Sequence, residues 1–71
     1  MIGDTAKRFE IRLPYARSET LAAAFPEMNA VEIGPSLTML TGVLHDQTEL
    51  HGLLRRIADM GLDILEVRQD A

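Results

Sequence analysis

The stretch from Asp46 to Gly61 leaves this chain little choice. Asp46-Gln47-Thr48-Glu49 is a variant of the capping box. The Asp46 carboxylate can accept from the amide of Glu49 while the Glu49 side chain reaches back. Leu50, Leu53, Leu54, Ile57 and Gly61 then share one face of a helix running to about Met60, flanked by Ala58 and Met60. Thr48, Gly52, Arg55, Arg56 and Asp59 take the opposite face. A one-sided helix of this kind needs an apolar surface to lie on. Gly61 is a natural stop in left-handed conformation, after which Leu62 can fold back on the last turn.

Alternation supplies the surface. From Lys7 to Leu13, Phe9, Ile11 and Leu13 point one way and Arg8, Glu10 and Arg12 the other. Period two is the mark of a half-buried strand. Pro14 ends it, since proline cannot donate to a ladder. Ser18 is positioned to cap a short helix from Glu19 to Phe25, with Glu19 at the positive end of the dipole. Leu21, Ala24 and Phe25 share its apolar face, and Pro26 stops it. Met28 to Ile33 reads as a second strand with Val31 and Ile33 on one face. Gly34-Pro35-Ser36 is turn chemistry. Leu37 to Leu44 reads as a third strand, apolar on both faces and therefore central, and the short turn before it implies a hairpin. Gly42 marks a bulge or a close backbone approach. Asp63 to Gln69 is the last strand, with Leu65 and Val67 facing one way and Ile64, Glu66 and Arg68 the other.

The order β-α-β-β-α-β predicts an α+β, ferredoxin-like sandwich: a four-stranded antiparallel sheet with two helices on one face. Residues 1–6 are expected to form a flexible N-terminus, and residues 7–71 one domain. Phe9, Ile11, Leu13, Leu65 and Val67 are expected to line the helix side. Thr38, Leu40 and Leu44 are expected on the uncovered face, beside the charged stripe of the first and last strands.

At 71 residues the chain is short for a self-sufficient core. It has no cysteine, which excludes disulfides and thiolate sites, and its two histidines, His45 and His51, do not make a zinc site. Association with another subunit is the staple left. A net charge of −4 argues against nucleic acid and anionic lipid as partners. No apolar run reaches membrane-spanning length. Met1 to Thr5 lacks the regions of a secretion signal, so the expected location is cytoplasmic.

Candidate sites are few. On the open face Arg8, Glu10, Arg12, Leu40, Ile64, Glu66 and Arg68 form the expected subunit interface. Arg8, Arg12 and Arg68 could converge on an anion, although Glu10 and Glu66 compensate two of the three charges. Tyr15, Arg17 and Ser18, in the loop entering the first helix, are the candidate ligand-binding residues. RNA binding on such a sheet would need exposed aromatics, and Phe9, Tyr15 and Phe25 are not expected there. No catalytic constellation, metal site or cofactor site is visible. A hydrolase of acyl phosphates on this fold would want an Asn poised on water. The only Asn is Asn29, ahead of the second strand.

Residues 40–67, with Leu40-Thr41-Gly42, Asp46-Gln47 and Leu50-His51-Gly52-Leu53-Leu54 ahead of Gly61-Leu62 and a closing strand, resemble a group of small uncharacterised bacterial proteins. The first half lacks the tryptophan-containing segment of that group. A fainter likeness, through Leu53-Leu54-Arg55-Arg56-Ile57, Gly61 and Ile64-Leu65-Glu66-Val67, is to the small C-terminal domain of some ABC transporter ATPases. Both resemblances imply the same fold class and a non-catalytic role. The expected function is thus a small interaction or oligomerisation module, a homodimer or small homo-oligomer with possible docking on a larger protein. The alternative is a small-ligand-binding regulatory domain, similar to amino-acid-binding domains of this topology, with its site at the first β-α loop or a dimer interface.

Overall fold

The computed structural model describes residues 6–70. The expected flexible stretch 1–6 therefore lies, apart from Ala6, outside the described residues. The elements run β1 (Lys7–Leu13), α1 (Glu19–Ala24), β2 (Asn29–Gly34), β3 (Leu37–Leu44), α2 (Gln47–Asp59) and β4 (Glu66–Gln69). The strands form one sheet in the order β2-β3-β1-β4, every neighbour antiparallel. This is the ferredoxin-like arrangement expected from the order of elements.

Local chemistry sets the ends of both helices. Ser18 Oγ accepts from the Leu21 amide at 3.0 Å and starts α1. Asp46 accepts from the Glu49 amide at 2.8 Å, and Glu49 reaches back one residue beyond the cap, to the His45 amide at 2.6 Å. Gly61, at φ 75°, ends α2. The Leu62 amide donates to the Ile57 carbonyl at 3.1 Å and the Gly61 amide to Ala58 at 2.9 Å. These two bonds make the Schellman closure that satisfies the last carbonyls.

Ile11, Leu13, Phe25, Leu40, Leu53 and Ile57 are fully buried between sheet and helices. Register decides which side chains reach this core. Ile11 lies opposite Leu40 in β3, and residues directly opposite share a face. Leu40 therefore points at the helices with 0% exposure, not at the open face where the sequence placed it with Thr38 and Leu44. Both faces of β3 are apolar, so alternation alone could not choose, and the pairing with β1 does. The residues of β3 on the open face are Leu37, Met39, Thr41 and Val43.

A second correction concerns β4. Ile11 also faces Val67, which puts Val67 on the helix side, yet Val67 is 42% exposed and Leu65 58%. The helices explain it: α1 packs on β2 and α2 on β3, so neither covers the β4 flank. Regular pairing of β4 starts at Glu66, later than the expected Asp63; the Leu65 amide bonds to the Arg12 carbonyl at 2.8 Å, one residue out of that register.

Gly42 is the close approach that its position in the strand suggested. A Cβ there would lie 2.7 Å from Met28 Sδ and 3.2 Å from the Glu27 carbonyl. Only glycine lets the α1–β2 connection rest directly on β3.

Candidate interaction surface

The uncovered face divides along the middle of the sheet. Its β1–β4 half carries Arg8, Glu10, Arg12, Glu66 and Arg68, in which Glu10 opposes Arg68 and Arg12 opposes Glu66. Arg12 lies 3.1 Å from Glu66 and 3.7 Å from Glu10, and Arg68 turns along its own strand to Glu66 at 3.2 Å. The three arginines do not gather on an empty anion site. Two of them share Glu66, and Arg8 stands apart, opposite Val43. Ile64 lies outside the strand, ahead of β4.

The β2–β3 half of the face is mostly apolar, with Asn29 opposite Thr41 as its polar pair. Val31 opposes Met39, with Ile33 and Leu37 beside them, and Val43 lies beyond Thr41 at the far end of β3. Val31, Ile33 and Val43 are all more than a third exposed. Ile33 falls where the register slips between Glu32 and Gly34, a bulge that bends the edge strand. No aromatic side chain stands on this face: Phe9 and Phe25 are buried and Tyr15 packs against the core.

The loop ahead of α1 uses its candidate residues for the fold. The Thr38 hydroxyl, buried, donates to the Tyr15 carbonyl at 2.7 Å, and the Tyr15 phenol oxygen accepts from the Asp63 amide at 2.8 Å. Ser18 is the helix cap. Arg17 donates from Nε to the Ala30 carbonyl at 2.8 Å and pairs with Glu19 at 3.1 Å. Beside Tyr15 and Ser18 there is an apolar cleft of about 230 Å³, completed by Leu21, Met60 and Leu62.

Arg56, expected on the face of α2 opposite its apolar stripe, does not simply point away from the fold. It forks onto both carboxylate oxygens of Glu27, donates to the Ala24 carbonyl at 3.1 Å and lies 5.5 Å from the centre of the Phe25 ring. The hydrogen bonds from Arg56 hold the Glu27 carboxyl below the usual carboxylate range against a smaller opposing effect of burial, and raise the Arg56 guanidinium in return. The sequence signal was its place beside Ile57, on the rim of the apolar stripe of α2. The acid it meets comes from another segment.

His45 Nδ1 lies 3.4 Å from Glu49, with both side chains largely exposed. Among the described residues no group of three His, Asp or Glu side chains could hold a metal ion. Among them, too, no helix is long and apolar enough to cross a membrane.

The family model described as Domain of unknown function (DUF8691) matches residues 8–68. No curated protein and no solved structure matches the chain.

Proposed function

The chain belongs to the DUF8691 family, and from that premise we propose that it is a small non-catalytic interaction module. It self-associates as a homodimer or small homo-oligomer and offers its uncovered sheet face to a larger protein. The observation that carries this is the share of apolar surface left bare. Val31, Ile33 and Val43 on the open face, and Leu65 and Val67 at the β4 flank, are each more than a third exposed in a chain of 71 residues. A domain this small buries only about 60% of its unfolded surface, and assembly is a common way to bury more. The likeness of residues 40–67 to small bacterial chains supports a bacterial module.

The test is the absolute mass in solution, by light scattering behind a sizing column over a wide concentration range. A mass of two or more subunits, rising with concentration, is the expected result. A monomer at every concentration contradicts self-association.

The cleft beside Tyr15 and Ser18 favours a second function, binding of a small ligand with an apolar part. Its test is the melting temperature against a panel of amino acids, since anything that binds the native state alone raises it. A flat response across the panel counts against this alternative.

A further inference from the structure

The two outer strands of the sheet end differently. The β2 edge carries a bulge at Ile33, a proline just beyond it at Pro35, and the Arg17 guanidinium on the Ala30 carbonyl. Bulges, prolines and charges are the usual means of keeping an edge strand from recruiting another chain. The β4 edge has apolar Val67 at its centre, 42% exposed, with no helix over it.

We propose that the outer edge of β4 pairs antiparallel with β4 of a second copy about a two-fold axis through Val67, joining two sheets into one of eight strands. This rests on the self-association proposed above and names the surface that performs it.

Three features of the strand support the pairing. The first is backbone direction. The Asp70 amide donates to the Arg8 carbonyl at 2.9 Å, so Arg8 and Asp70 form a hydrogen-bonded pair. Such pairs alternate along an antiparallel ladder. Glu10 with Arg68 and Arg12 with Glu66 are then also bonded pairs, and Val67 and Gln69 turn their amides and carbonyls outward. In the proposed dimer Val67 exchanges both hydrogen bonds with Val67 of the second copy.

The second is charge. The tripeptide Glu66-Val67-Arg68 is complementary to itself when read antiparallel. With Val67 on the axis, Arg68 falls opposite Glu66 of the second copy, and Glu66 opposite its Arg68. The same pattern already works inside the chain, where Glu10-Ile11-Arg12 pairs with Glu66-Val67-Arg68 about Ile11 and Val67. The outer edge of β4 thus repeats the match made by its inner edge. On the open face each row then alternates in sign across four strands: Glu10, Arg68, Glu66 of the second copy, Arg12 of the second copy.

The third is the apolar row beneath. Leu40, Ile11 and Val67 lie side by side across β3, β1 and β4. The second copy continues that row with its own Val67. Both open faces then lie on one side of the dimer as a single broad surface. An edge of four residues makes a small interface, so the dimer is expected to depend on concentration.

The chain has no cysteine, so Val67→Cys introduces a unique thiol. Residues that exchange both bonds in an antiparallel pair have Cα atoms about 5.5 Å apart, close enough for a short bis-maleimide to bridge two thiols. Treatment of Val67→Cys with a short bis-maleimide is expected to double its mass under denaturing conditions, while Met39→Cys on the open face keeps the monomer mass. As a second check, Val67→Pro removes only the outward amide and is expected to give a monomer with unchanged circular dichroism. A wild-type dimer in which Val67→Cys fails to cross-link, or in which Val67→Pro keeps the dimer mass, overturns the edge pairing and leaves self-association to another surface. A wild type that is monomeric at every concentration overturns both.

Discussion

The β2 flank and the β4 flank of this sheet are built on opposite terms. On the β2 side α1, its following loop and α2 are fastened to the strands. Gly42 lets Met28 and Glu27 rest on β3, the Arg56–Glu27 pair ties α2 to that loop, and Arg17 holds the edge strand from outside. On the β4 side Val67 and Leu65 have no helix above them, and the strand is held by its ladder to β1 and by exposed ion pairs. The ten residues of β4 and the loop before it (60–69) include four large apolar side chains more than a third exposed, Ile64, Leu65, Val67 and Met60. The difference teaches that a chain this small closes one flank with its own helices and leaves the other for something else to close.

The largest effect that sharpens the contrast belongs to β3, where the two faces meet. Leu40→Glu places a charge in the core and is expected to unfold the domain, at a cost above about 4 kcal/mol. Met39→Glu, one residue along on the open face, is expected to stay folded. Circular dichroism in a urea series separates them, and equal tolerance of both would reverse the assignment of faces. Gly42→Ala strikes the fastened flank more gently. Its methyl meets Met28 Sδ and a backbone carbonyl, so a loss of about 1–3 kcal/mol is expected from the same denaturation midpoint measurement.

The Arg56–Glu27 pair contributes least to stability, and its sign is fixed by the carboxyl. The folded Glu27 carboxyl titrates below its unfolded value. Its contribution is therefore complete above the ordinary carboxylate range and fades as pH falls through the lowered value. Both side chains are about two-fifths exposed, so solvent screening keeps the effect below roughly 1 kcal/mol. Comparing the acid limb of stability against Glu27→Gln checks this, and the variant should show a shallower fall. Arg17→Ala changes association more than stability. With the β2 edge unguarded, light scattering should find assemblies larger than the wild type forms at the same concentration, and an unchanged mass would mean that Arg17 does not guard that edge.

Much of this architecture was legible in the sequence because its signals are local. Ser18, Asp46 and Gly61 act within one turn of their own position, and the alternation in residues 7–13 needs no partner to be recognised. The face of β3 was not legible, because Leu40 and Met39 are both apolar and only the register with Ile11 separates them. The bare flank at Val67 was hidden for a similar reason. Its alternation points it to the helix side, but whether a helix stands over it depends on where α1 and α2 come to rest. At the candidate surface the charged stripe of Arg8, Glu10, Arg12, Glu66 and Arg68 could be read directly. Its apolar neighbour could not, since Val31 and Met39 come from separate strands. The Arg56 fork needed a loop from the other half of the chain.

The most direct test of the paired β4 edge is amide hydrogen exchange at Val67, followed from dilute to concentrated solution. The outward amide should exchange freely when dilute and become protected as the chain dimerises, in step with the mass from light scattering. Rapid exchange at Val67 in a sample that scatters as a dimer would contradict the account and move the interface elsewhere.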